Sequence, residues 1–323
     1  MRALNRTGGH IIDRKFLHPY NPFPLFPSTP SSARTRIANM KVIGILTKPK
    51  FPNMKPTLTQ LVAWLREHGK DVVLDPKAAA LMGKAASRYK GRIADKADMV
   101  LVLGGDGTML NAARLVEKRS VPILGINMGG LGFLTEVGGE HLHKTLERVF
   151  AKDYAIEERL MLRAGLERRG KDVTETTVLN DVVVTKGELS RMIAMTIAID
   201  GQFVTSLRGD GLILSTPTGS TAYSMSAGGP IVSPSVNALV LTPICPHTLT
   251  HRPLLVPSTA TLAITLTSHD KGAMVTYDGQ VGVAMTEGDT VTIKPSRHKT
   301  KLIRLPERTY YDVLRRKLKW GGD

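Results

Sequence analysis

Residues 97–114 read ADMVLVLGGDGTMLNAAR, and the rest of the chain is interpreted outward from them. After Asp98, Met99 to Leu103 is an unbroken apolar run, the pattern of a parallel strand buried on both faces. Gly104, Gly105, Asp106 and Gly107 follow at once. Thr108 then opens a stretch of helical spacing, with Met109, Ala112, Ala113 and Val116 as inward positions. The order is strand, glycine turn, helix. In open α/β sheets, ligands bind at the carboxyl ends of strands. Glycines there let backbone N–H groups approach a phosphate, and the helix N-terminus favours negative charge. Gly104, Gly105, Gly107 and Thr108 are therefore the candidate phosphate-binding residues. Asp106 does not suit simple phosphate recognition, because like charges repel. A carboxylate there points to chemistry: it holds a metal ion or accepts a proton. On these residues alone, an ordinary tight turn stays open as the alternative.

The chain has 323 residues, enough for about two domains. A hydrophobic share of 42% and a charged share of 22% describe a soluble globular protein. Cys245 is the only cysteine, which excludes an intramolecular disulfide framework and a multi-cysteine metal site and fits a reducing cytoplasm. No apolar run approaches the roughly 20 residues needed to span a bilayer. The net charge of +16 admits nucleic acid, an anionic membrane or a polyanionic small ligand as partner. The basic residues are spread along the chain, and aromatics make up only 5%, with no basic–aromatic pattern for stacking bases. Neither nucleic acid nor membrane is expected as the partner.

Residues 1–39 differ from the rest. NPFPLFPSTPSS (21–32) has a loop or disordered composition, and six basic residues face one acidic residue, Asp13. A transit peptide would need a clearer amphipathic helix. Met40 stands directly before KVIGIL and is read as the natural start, with the upstream stretch a tail or mis-assigned leader. From 41 the pattern alternates: strand Lys41–Leu46, helix Pro56–His68 stopped by Gly69, strand Val72–Leu74, the 99–103 run, strand Ile123–Ile126 and helix Leu142–Phe150. This predicts a Rossmann-like α/β domain over 40–153, a parallel sheet with helices on both faces. From about 154 to 305 short β-rich segments predict a mostly antiparallel sandwich. They are Leu160–Leu166, Thr177–Lys186, Arg191–Ile199, Gly211–Ser215, Leu239–Leu241, Thr261–Leu266, Ala273–Tyr277 and Thr290–Ile293. Residues 306–323 hold a helix, Arg308–Trp320, expected to return to the first domain.

INMGGLGFLTE (126–136) places a second glycine loop beside the first, and two such loops at strand ends outline a crevice. Asn180 and Asp181 interrupt the apolar VLNDVVV. Buried unpaired, they would cost several kcal/mol, so they either bond a ligand or mark a bulge or strand end. The block LRGDGLILSTPTGSTAYSMSAGGPIVSP (207–234) carries Arg208, Asp210 and a hydroxyl-rich, uncharged loop with one aromatic. Such a loop suits a nucleoside. YDGQ (277–280) is a turn whose polar groups could reach the same crevice.

Together GGDGTML (104–110), NMGGLGFLTE (127–136), LND (179–181), GDGLILSTPTGSTAYSMSAGGPI (209–231), PHTL with RPL (246–249, 252–254) and YDGQ (277–280) resemble the NAD kinase family of bacterial type. The resemblance covers about residues 40–310. GGDG is shared with lipid kinases and phosphofructokinase-like enzymes; combined with STPTGSTAYS it is highly specific. The resemblance implies an α/β domain and a β-rich domain with NAD bound between them. It implies transfer of the γ-phosphoryl of ATP to the 2′-hydroxyl of the adenosine ribose, giving NADP. Asp106 matches the catalytic base, with Gly107 beside it. Asn180 and Asp181 match the pair that holds NAD, with Asp181 where many members have Glu. Arg208, Asp210, Thr221, Ala222, Tyr223, Ser224, Met225, Ser226 and Gln280 match further NAD contacts. Asn111, Arg191 and Cys245 match NAD-binding positions at which the family varies. Arg208 resembles members that prefer NAD over NADH. A homodimer or homotetramer is implied, in which a neighbouring subunit completes the site.

Phosphoryl transfer passes through a loose transition state in which positioning and charge neutralisation dominate. Asp106, though a weak base, is therefore expected to orient the 2′-hydroxyl and then take its proton. The Gly104–Thr108 N–H groups would cradle the ATP phosphates, with Mg²⁺ bridging them. No Walker A motif is present, and no protein ligand for the metal can be named. A lipid or sphingoid kinase and a non-catalytic dinucleotide binder are the alternatives.

Overall fold

The computed structural model describes residues 40–86, 91–130, 132–187, 191–269 and 272–320. The readings for residues 1–39 lie outside them. Three sheets organise the chain. In the first, Asp71–Leu74, Val42–Thr47, Met99–Gly104 and Ile123–Asn127 lie side by side, all parallel. Every residue of Met99–Leu103 is fully buried. Met99, Leu101 and Leu103 pack on the Met54–Glu67 helix side, while Val100 and Val102 pack on the Asp106–Val116 helix side. A strand covered on both faces has no water-facing positions, hence its unbroken apolar run.

The Met54–Glu67 helix buries Leu58, Leu61, Val62 and Leu65, and Gly69 follows at φ +69°. Its Pro56 lies in the first turn, where an N–H is not needed. The Asp106–Val116 helix buries the four expected positions and Leu110. Leu142–Phe150 is helical as read.

Two further strands join the first sheet from the stretch read as β-rich. Thr300–Arg304 pairs parallel to Ile123–Asn127, and Ala155–Arg159 pairs antiparallel to it in turn. The chain thus leaves the first sheet through Ala155–Arg159 and returns through Thr300–Arg304. Between them lie two six-stranded antiparallel sheets. Their facing residues, among them Leu162, Ile193, Val182 and Leu214, form one core. Asp181–Val184 and Gly211–Ser215 are buried throughout, because residues 216–232 cover the outer face of their sheet, with Thr216 and Ser220 fully buried.

The segment Thr177–Lys186, read as one strand, is two. Lys171–Val178 ends in one sheet, and Asp181–Thr185 begins in the other. Leu179 and Asn180 form the corner between them. The last helix, Tyr310–Leu318, starts on a capping box between Thr309 and Asp312. It packs near the second glycine loop, with Lys317 Nζ 5.7 Å from the Phe133 ring centre. Among the described residues, no helix is long and apolar enough to cross a membrane.

Candidate active site

Asp106 is the first residue of its helix, directly after the strand and Gly105. Its two carboxylate oxygens accept the N–H groups of Phe133 at 2.9 Å and Leu134 at 3.0 Å. The second glycine loop therefore grips the acid of the first. A carboxylate offers about four lone-pair sites, so two remain for a ligand. The two glycine loops meet as the adjacent strand ends required.

Thr108 N–H is engaged by Gly105 O at 2.9 Å. Of the four residues read as a phosphate cradle, Thr108 thus has its N–H spent inside the turn. Gly107 O accepts Gln280 Nε2 at 2.6 Å from the second domain and Asn111 Nδ2 at 3.3 Å. Gln280 is thereby committed to protein contacts on the Asp106 helix.

At the corner between sheets, Asn180 N–H donates to Asp278 Oδ1 at 2.8 Å. Asn180 Oδ1 is buried with no hydrogen-bond partner among the described residues. A buried acceptor of this kind wants a donor. Asp181 is buried, and its carboxyl is pushed up to about 7 by burial and by the neighbouring Asp278. Asp278 is raised too, first by burial, although three backbone N–H groups oppose this. A Cβ on Gly219 would overlap Asn180 O and stand 2.7 Å from Asn180 Cα, so only glycine lets the 216–221 loop seat against this corner.

The hydroxyl-rich loop differs from its reading. Ser220 Oγ donates to Pro217 O at 2.7 Å and accepts Val232 N–H at 2.9 Å. Thr216 Oγ1 donates to Leu179 O at 2.6 Å, and Ser224 Oγ pairs with Thr242 Oγ1 at 2.8 Å. Thr221 Oγ1 donates to Thr218 O at 3.3 Å. These hydroxyls are spent on protein partners within the block and on Leu179 and Thr242 beside it, because burial demands partners. The side chains of Tyr223 and Ser226 are left exposed, with Ala222 and Met225 half-buried.

Asp210 pairs with Lys186 Nζ at 3.0 Å. Arg208 is exposed on the neighbouring strand, and its carbonyl accepts His247 N–H at 2.8 Å. Cys245 is exposed at φ +43°, and its carbonyl lies beside Gly209. Arg191 is exposed. No three His, Cys, Asp or Glu side chains converge on a metal position among the described residues.

Residues 43–154 match the ATP-NAD kinase N-terminal domain, and residues 179–305 match the ATP-NAD kinase C-terminal domain. The chain belongs to the ATP-NAD kinase family. The NAD kinase of Syntrophotalea carbinolica is 45% identical over 283 residues, covering 87% of this chain and 99% of the relative. That of Geobacter sulfurreducens is 44% identical over 282 residues, with 87% and 99% covered. The crystal structure of yeast NADH kinase complexed with NADH is similar at TM-score 0.81 and 25% identity, covering 88% of this chain and 89% of that one. An NAD kinase from Archaeoglobus fulgidus in complex with ATP shares the fold at TM-score 0.68 and 24% identity, with 86% and 98% covered.

In this NAD kinase family member two residues beside the candidate site, Arg114 and Lys186, carry no signal in the sequence, and Asp278 is read there only as part of the YDGQ turn. Arg114 donates to Gln280 Oε1 at 2.6 Å. An arginine late in an amphipathic helix reads as a solvated face, and only the fold brings it to residues 278–280.

Proposed function

We propose that this NAD kinase family chain transfers the γ-phosphoryl of ATP to the 2′-hydroxyl of the adenosine ribose of NAD, giving NADP, with Asp106 as the proton acceptor. The hydroxyl oxygen attacks the γ-phosphorus, the bond to the bridging oxygen breaks, ADP leaves, and the hydroxyl proton passes to Asp106. The observation that carries this reading is the Asp106 carboxylate. Two loop N–H groups hold it at a helix N-terminus, with two lone-pair sites free. The first-turn N–H groups of Asp106 and Gly107 suit the donor phosphates. Magnesium enters with the MgATP substrate, since the ion is commonly held by one or two carboxylates and substrate phosphates.

On the acceptor side the unpartnered Asn180 Oδ1 supports a bond to an amino or hydroxyl group of NAD, and Asp181 supports one to a ribose hydroxyl. Arg208, Asp210 and residues 221–226 line the same reading, with Tyr223 offering the aromatic face. A homo-oligomer belongs to it as well. Leu254, Leu255 and Val281 leave apolar side chains exposed on the two edge strands of one sheet, which supports covering by a second copy. A cytoplasmic location is supported by the single cysteine.

The test is NADP formation from NAD and MgATP. The parent chain forms NADP, and Asp106→Asn lowers turnover by about 10²–10⁴-fold while calorimetry still detects NAD binding. Near-parental turnover of the variant would remove Asp106 from this role.

A further inference from the structure

The turn 277–280 is tied in two directions. Toward its own domain, the Asp278 carboxylate accepts N–H groups from Leu179 at 3.1 Å, Asn180 at 2.8 Å and Asp181 at 3.3 Å. It thereby holds the whole acceptor corner by its backbone. Toward the first domain, Gln280 Nε2 donates to Gly107 O at 2.6 Å, next to Asp106. Arg114 joins the two. Its Nη2 donates to Gln280 Oε1 at 2.6 Å and stands 3.9 Å from Asp278 Oδ2.

Arg114 sits about two turns along the helix that begins at Asp106. That helix is packed against its own sheet through Met109, Ala112, Ala113 and Val116. The guanidinium is thus anchored to the donor side while its fork reaches the acceptor side. Asp278 has a side chain only 1% exposed, and Asp181 beside it is also buried. A buried carboxylate needs a cation nearby, and Arg114 faces that of Asp278. Lysine would supply the charge but not the planar fork that serves two acceptors.

We infer that Arg114 is a positioning residue for the acceptor. It locks the turn carrying Asp278 and Gln280 to the Asp106 helix and so fixes Asn180 and Asp181 relative to the Asp106 carboxylate. This rests on the phosphoryl-transfer reading above. Arg114 touches no reacting atom in this role. Misplacing the acceptor by about 1 Å is worth about 10²-fold in rate.

The experiment compares the full chain with Arg114→Met, Arg114→Lys, Gln280→Leu and the Arg114→Met, Gln280→Leu double variant. It measures kcat, the KM of each substrate, and NAD affinity by calorimetry. Arg114→Met is expected to lower kcat/KM for NAD by about 10²-fold and to weaken NAD binding, with KM for ATP close to the parent value. Arg114→Lys recovers part of this, through charge alone. The double variant is expected to lose less than the product of the two single losses, because the Arg114–Gln280 contact they share is removed only once. Parental kinetics and NAD affinity in folded Arg114→Met overturn the inference, as do single-variant losses that multiply in the double. If Arg114→Met does not fold, Gln280→Leu and Arg114→Lys decide: parental values in both overturn it. The NAD-binding arm stands apart from turnover. A parent that binds NAD but forms no NADP counts against the phosphoryl-transfer reading, while weakened binding in Arg114→Met still supports the positioning role.

Discussion

A Cβ on Gly132 would overlap Asp106 Oδ1 and stand 2.9 Å from Asp106 Cγ. Gly132 is not in the left-handed region, so space and not backbone conformation demands glycine there. Gly132→Ala must push the carboxylate off the Phe133 and Leu134 N–H groups. The acid is then free to rotate, although the fold has lost nothing large. The expected result is a fall in kcat of about 10²-fold with a Tm close to that of the parent and NAD binding retained. Steady-state kinetics beside a melting curve check this. Parental kcat in Gly132→Ala would show that the grip on Asp106 has no bearing on turnover.

Arg304 supports the same loop from behind. It lies between Glu136 Oε2 at 2.9 Å and Glu157 Oε2 at 2.8 Å, and donates to Leu134 O at 3.3 Å. Glu136 is almost wholly buried, with Leu305 N–H as its other partner. Arg304→Met leaves Glu136 charged and buried without its cation, at a cost of about 3–5 kcal/mol. Glu157 keeps Arg159 at 2.8 Å. The double variant Arg304→Met, Glu136→Leu removes the unpaired charge along with the pair, so it is expected to recover much of that loss. Urea midpoints of the three proteins test this; a double variant no more stable than Arg304→Met would contradict it.

How much of this was legible follows burial. The run at 99–103 announced its strand because both faces are covered. Helix Met54–Glu67 was readable because its apolar stripe is its buried stripe. The strands Gln202–Gly209, Leu254–Pro257 and Val281–Ala284 left no such trace. They are sheet edges, with many side chains in water. Thr300–Arg304 is short and carries two charges, so its place in the first sheet could not be read from pattern. The corner at Leu179 and Asn180 was hidden because apolar residues flank it on both sides. Asp106, Asn180 and Asp181 stood out since polar groups there break local rules. Arg114 obeys the rules of an exposed helix face, and its role exists only through contacts 166 residues away.

Asp181 links stability, pH and binding. Its carboxyl is pushed up to about 7 in the folded chain, first by burial and then by Asp278. In the unfolded chain it titrates near 3.9. Between about pH 4 and pH 7 the folded state therefore keeps a proton that the unfolded state has released. The stability tied to this group is full below about pH 4 and is lost as pH rises through 7. The gap of about three units corresponds to about 4 kcal/mol. Asp181→Asn cannot ionise and escapes that loss. Its Tm should exceed that of the parent clearly at pH 8 and hardly at pH 4, in a melting series across that range. An equal offset at every pH would contradict the assignment. At pH 8, where Asp181 is ionised, the same variant is expected to bind NAD more weakly, by about 1.5–3 kcal/mol, since a charged acceptor for a ribose hydroxyl is gone. A residue that destabilises the empty fold and strengthens binding is kept for its ligand, and a more stable Asp181→Asn with undiminished NAD affinity would separate the two effects and remove Asp181 from the binding site.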